Sequence, residues 1–167
     1  MRTKNVIIFI LVVVAALGFM FFYARPAGDN IDTKNYSEAS VNVLTSDKTL
    51  HDFGTISMKD GNVKTIFKIK NPTEEILTLN KLYTSCMCTS ATLIVGNKTQ
   101  GPFGMPGHSA ITTFNQTLKP NEEAQVEVVF DPNAHGPAGV GVIERTVILE
   151  GKVGKLMAVN IKVNVIP

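Results

Sequence analysis

The sequence predicts an all-β sandwich of seven or eight short strands behind one transmembrane helix. Three observations carry this. Apolar residues alternate with polar ones over several short runs, turn residues punctuate those runs at regular intervals, and no amphipathic helix interrupts them. Before the first strand lies a charge-free apolar run long enough to cross a bilayer. At 167 residues the chain has room for one domain and an appendage.

The apolar run starts at Val6 and ends by Ala24, preceded by Arg2 and Lys4 and followed by Arg25 and Pro26. About 18 residues of helix span roughly 27 Å, close to the hydrocarbon core of a membrane. A cleavable signal peptide is the alternative. The run is long for one, and it closes on bulky Phe19-Met20-Phe21-Phe22-Tyr23 rather than on small residues. An uncleaved signal anchor is therefore expected. The cations Arg2 and Lys4 favour the N-terminus inside and the remaining chain outside the cytoplasm, though Arg25 and Lys34 make the bias slight. The expected organisation is a cytoplasmic N-terminus (1–5), the anchor (6–24), a polar tether (25–47) and the β domain (48–167). The setting is a single pass through the cell membrane, with the domain periplasmic or extracellular.

Within the domain, Val63, Thr65, Phe67 and Ile69 alternate with Lys64, Lys68 and Lys70. Asn71-Pro72-Thr73 turns the chain, and a strand from Ile76 to Tyr83 follows. Ala91 to Val95 stops at Gly96-Asn97, and Ile111 to Leu118 stops at Lys119-Pro120-Asn121. Val126 to Phe130 stops at Asp131-Pro132, a turn initiator. Thr146 to Leu149 and Met157 to Ile166 close the pattern. The region from Asn97 to Ser109, with Gly101, Gly104, Gly107, Pro102 and Pro106, breaks the rhythm. It is expected to lack regular structure and to form a long functional loop. Up-and-down barrels need more even strand lengths.

Composition excludes several functions. A net charge of +2 without a basic stripe argues against nucleic acid as a partner. Two cysteines make no disulfide framework, so the fold must stand on its core. There is no phosphate loop, no His-Glu-x-x-His and no Gly-x-Ser-x-Gly, and no nucleophile–base pair at a recognisable spacing, so an enzyme is not expected. Arg145, among strand residues, reads as a solvated or paired side chain.

The chemistry centres on Thr84-Ser85-Cys86-Met87-Cys88-Thr89. In an extended strand Cys86 and Cys88 would face the same way, with Cα atoms about 6.5–7 Å apart, and Met87 the other way. A tight turn would instead permit a strained, easily reduced Cys86–Cys88 disulfide. His108 and His135 lie in Gly/Pro-rich segments. Three readings follow. Cys86, Cys88, His108 and His135, with Met105 as a fifth candidate, form a soft-metal site suited to Cu(I) and less to zinc. Alternatively the domain is a structural or protein-interaction module whose cysteines pack or pair, and whose sheet edges or loops meet a protein partner. Alternatively Cys86 and Cys88 cycle between dithiol and disulfide.

Four motifs in order resemble a bacterial family, the domain of unknown function 1573 family. They are Asp52-Phe53-Gly54, Phe67-Lys68-Ile69-Lys70-Asn71, Ser85-Cys86-Met87-Cys88-Thr89, and Pro120-Asn121-Glu122 before Val126. The resemblance covers roughly residues 50–165. It implies an immunoglobulin-like sandwich akin to major sperm protein and ciliary modules, in proteins that are exported or membrane-attached. It implies no common activity. The chain departs from the family pattern at Met87, where glycine is usual, and in the richness of Gly, Pro and His at 101–108 and 135–141.

Overall fold

The computed structural model describes Phe19 and residues 43–108, 113–152 and 154–167. The elements below belong to the compact unit Ser40–Pro167. Apart from Phe19, the expected anchor from Val6 to Ala24 lies outside the described residues. Among those described, no helix is long and apolar enough to cross a membrane.

Among the described residues ten strands form two five-stranded sheets. The first sheet runs β1 (Thr45–Ser46), β3 (Val63–Lys70), β8 (Glu123–Phe130), β5 (Thr89–Val95), β6 (Lys98–Phe103). The second runs β2 (Leu50–Ser57), β10 (Gly154–Ile166), β9 (Gly141–Gly151), β4 (Leu77–Thr84), β7 (Gln116–Leu118). β10 pairs with β2 in parallel and with β9 antiparallel.

The period of two in the sequence becomes the inner face of each sheet. Thr89, Ala91, Leu93 and Val95 of β5 are buried, as are Ala124, Val126, Val128 and Phe130 of β8. From the other sheet, Leu149, Val159, Ile161 and Val163 are also buried. Phe67 and Phe130, the largest fully buried side chains, anchor the first sheet's contribution. Each such side chain stabilises the fold by about 1.5–3 kcal/mol relative to exposure.

The sequence reading is corrected at four places. Among the described residues there are ten strands, not seven or eight. The extra ones are short or lie at sheet edges, where alternation is weak. The stretch assigned to the tether contributes β1, and Leu44 is buried with its N–H donated to Leu156 O at 3.2 Å. The region from Asn97 to Ser109 is not wholly irregular, because β6 pairs with β5 and Phe103 is buried. β6 is an edge strand, so Pro102 removes no ladder bond needed on an inner side. Gly101 sits at φ +121°, where a Cβ would lie 3.0 Å from Ala91 O. The strand expected from Ile111 starts only at Gln116, and 109–112 lie outside the described residues.

Two of the connections that cross between the sheets meet at one end of the sandwich. Residues 85–88 lead from β4 to β5, and 131–140 lead from β8 to β9. They meet directly, since Asp131 N–H donates to Cys88 O at 2.8 Å.

Candidate thiol–imidazole site

The Cys-x-Cys segment is a turn rather than an extended strand. Thr89 N–H donates to Cys86 O at 3.2 Å, closing four residues. Thr84, fully buried at the end of β4, holds its hydroxyl 2.9 Å from both Cys86 O and Thr89 O. Ser85 fastens the turn to β9, donating its N–H to Thr146 O at 2.9 Å and accepting Thr146 N–H on Oγ at 3.0 Å. With Asp131 on Cys88 O, the turn is held by both sheets. Folding back brings the two sulfurs to 2.9 Å, with the Cys88 thiol donating to Cys86. The two cysteines are unbonded, with only 8% and 2% exposure. Met87, at the tip, is 49% exposed and so is not a core residue.

His135 comes from the other crossing. Asp131 Oδ1 accepts Asn133 N–H at 2.8 Å, and Ala134 and Gly136 N–H groups continue the turn. Asn133 Nδ2 reaches across to Met58 O at 2.9 Å. His135 then leads into a single 3-10 turn, Gly136–Gly139. Gly139 is close beneath it, where a Cβ would stand 3.3 Å from His135 Cβ. The exposed ring thereby lies with Nε2 3.0 Å from Cys86 Sγ.

A fourth group completes the cluster. Arg145, on β9 one residue before Thr146, donates Nε–H to Cys88 Sγ at 3.4 Å and Nη1–H to Glu144 O at 2.9 Å. In the sequence it reads as a solvated or paired strand residue, with nothing to say that its partner is a cysteine. Only the pairing of β9 with β4, which sets Thr84 opposite Val147, shows that Arg145 adjoins the turn.

Electrostatics separate the two thiols. Burial alone would raise the Cys86 pKa. The hydrogen bonds from the Cys88 thiol and backbone outweigh it, and His135 and the Arg145 guanidinium add to them, so the net shift is downward. Cys88 moves up, first because it is buried and then because it donates to Cys86. Arg145 is held more firmly protonated: burial opposes its charge, but the two thiols beside it win. Of the two thiols, Cys86, the more accessible, is thus the more readily ionised, and Cys88 holds its proton more firmly.

Of the five expected ligands, the structure groups three. Cys86 Sγ, Cys88 Sγ and a His135 ring nitrogen lie within 4.8 Å of one another. His108 is not in this group. Its loop is nonetheless pinned beside the turn, because Gly104 O accepts Thr84 N–H at 3.3 Å, and half-buried Met105 follows. The far end of the loop is held by Phe114, which donates its N–H to Asn80 O and stacks on Phe103 at 5.2 Å. Two thiols and an imidazole offer soft donors for a metal ion, or a dithiol with a neighbouring base.

Comparison with known proteins agrees with the fold. The model of a family described as a protein of unknown function, DUF1573, matches residues 44–101, which include both cysteines but neither His135 nor Arg145. A protein of unknown function from Porphyromonas gingivalis W83 is similar in structure at a TM-score of 0.52 and 15% identity, covering 78% of this chain and 51% of its own. The chain thus spans about half the length of that protein. A PapD-like domain of human CEP192 is similar at a TM-score of 0.44 and 11% identity, over 80% of this chain and 92% of that domain. The YadV chaperone is similar at 0.45 and 8%, over 75% and 53%. No curated protein matches the chain. At these identities the likenesses concern the fold alone, an all-β sandwich of two sheets.

Proposed function

We propose that this chain is a membrane-anchored, extracytoplasmic binding module in which Cys86, Cys88 and His135 hold one Cu(I) ion. The sandwich and the family match support a binding or interaction module. The observation that carries the finer reading is the convergence of two sulfurs and an imidazole nitrogen, from separate crossings, within 4.8 Å. Three soft donors satisfy Cu(I), whereas a structural Zn(II) site takes four. With metal–sulfur bonds of about 2.3 Å, a trigonal ion sets its two sulfurs about 4 Å apart. The pair, now at 2.9 Å, would open by roughly 1 Å, a rotamer-scale adjustment. The charge-free run from Val6 to Ala24 supports the anchor, and Arg2 and Lys4 support its orientation.

The test is anaerobic Cu(I) titration of the 167-residue chain against a competing chelator, read by native mass spectrometry. One Cu(I) per chain is expected. Binding should weaken at least a hundredfold in Cys86→Ser and in His135→Ala, and persist in His108→Ala. Binding no tighter than micromolar, or binding that survives Cys86→Ser, would refute the site.

A second reading rests on the same 2.9 Å separation, which needs only about 0.9 Å of closure to reach a disulfide bond length. A chain isolated two daltons light, which takes up Cu(I) only after reduction, would favour a thiol–disulfide pair.

A further inference from the structure

Building on the Cu(I) reading, we infer that Arg145 is a fixed counter-ion that makes the site selective for a monovalent soft cation over a divalent one. The argument is one of charge. With metal bound, Cys86 and Cys88 are both thiolates and His135 is neutral. Arg145 remains a cation, with Nε–H on Cys88 Sγ at 3.4 Å. Two thiolates and one guanidinium leave a single negative charge. A monovalent ion brings the cluster to neutrality, and a divalent ion leaves it positive. Because both cysteines are buried, the residual charge is costly.

The guanidinium cannot easily turn away. Its Nη1–H is tied to Glu144 O at 2.9 Å, and its strand is bonded to the cysteine turn through Ser85 and Thr146. Among the described residues no carboxylate forms an ion pair with it, so its charge faces the sulfurs undiluted. A metal about 2.3 Å from Cys88 Sγ lies roughly 5 Å from the guanidinium. At that range, and after discounting for solvent, one unit of charge separates ions of charge one and two by about ten- to a hundredfold in affinity.

The ratio of Cu(I) to Zn(II) affinity isolates this effect. Any change in thiol deprotonation alters both metals alike and cancels. The unsubstituted 167-residue chain, Arg145→Gln and Arg145→Lys would each be titrated with Cu(I) alone and with Zn(II) alone, anaerobically, against chelators of known strength. Arg145→Gln should lower the Cu(I)/Zn(II) ratio at least tenfold, and Arg145→Lys, which keeps the charge, should hold it within threefold. An unchanged ratio in Arg145→Gln overturns the inference while leaving the metal site standing. An equal fall in Arg145→Lys also overturns it, since shape rather than charge would then be the cause. If the unsubstituted chain takes up neither metal, the site itself fails and the inference with it.

Discussion

Asn71 closes β3 and is completely buried, and its side chain is a hub between two loops. Its Nδ2 donates to Glu75 O at 2.7 Å, Leu118 O at 3.0 Å and Lys119 O at 3.2 Å. Its Oδ1 accepts Thr73 N–H at 3.0 Å and the Thr73 hydroxyl at 2.7 Å. The backbone adds Asn71 N–H to Glu122 O at 3.1 Å and Asn121 N–H to Asn71 O at 2.8 Å. Asn71 thus binds the β3–β4 turn to the β7–β8 turn. Asn71→Ala removes every side-chain bond. Glu75 O keeps the Thr73 hydroxyl and Lys119 O keeps Glu122 N–H, so those two carbonyls are not orphaned. Counting about 1 kcal/mol for each of the five contacts except those two, with a further penalty for groups left bare, the loss is roughly 3–5 kcal/mol. That is a large share of the ~5–15 kcal/mol typical of a folded domain. Asn71→Asp keeps the volume but turns the donors into an acceptor facing carbonyl oxygens, so at neutral pH it should cost at least as much. Urea unfolding followed by far-UV circular dichroism reads both, with the midpoint falling by about 2 M for a slope of about 2 kcal/mol/M. An Asn71→Asp variant within 1 kcal/mol of the original chain would refute this hydrogen-bond argument.

Gly151→Ala should destabilise the domain by about 1–3 kcal/mol in the same assay, because the added Cβ would lie 2.5 Å from Thr78 O and 2.7 Å from Leu156 Cδ1; a loss under 0.5 kcal/mol would show that the β4–β9 contact yields freely. Tyr83 should ionise late. Burial, then its hydrogen bond to Glu150 at 2.8 Å and the charge of that carboxylate, raise its pKa to about 12. The unfolded phenol ionises near 10, so this contribution to stability is full below that pH and is lost as pH rises through about 12. Absorbance titration at 295 nm should show one late tyrosine, shifted down in Glu150→Gln; a Tyr83 that titrates unchanged in that variant would contradict the pairing.

Much of the sandwich was legible because its inner strands are half-buried and antiparallel. β3, β5 and β8 alternate in sequence as they do in burial. β2 and β6 were harder, because edge strands bury little: Leu50 is 46% exposed and β6 contains both Gly101 and Pro102. The cysteine turn illustrates a further limit. Residue order could not choose between an extended strand and a turn, since the choice rests on Thr84 and Ser85 bonding partners in distant strands. His108 and His135 had similar Gly/Pro surroundings. Which one met the cysteines depended on β8 crossing to β9 at the end where β4 crosses to β5. Arg145 was invisible for the same reason.

The parallel pairing of β10 with β2 bears on how this chain comes to be made. Residues 154–166 form a strand between β2, some hundred positions earlier, and β9. Until they are synthesised, the second sheet has a gap beside its first strand, and Leu44 lacks the Leu156 carbonyl that receives its N–H. Contacts this far apart in sequence form late and slowly. In a partial chain without β10 the facing edges of β2 and β9 are unpaired and open to rival strands. A nascent polypeptide of this design would gain from a holdase until its thirteen-residue keystone arrives.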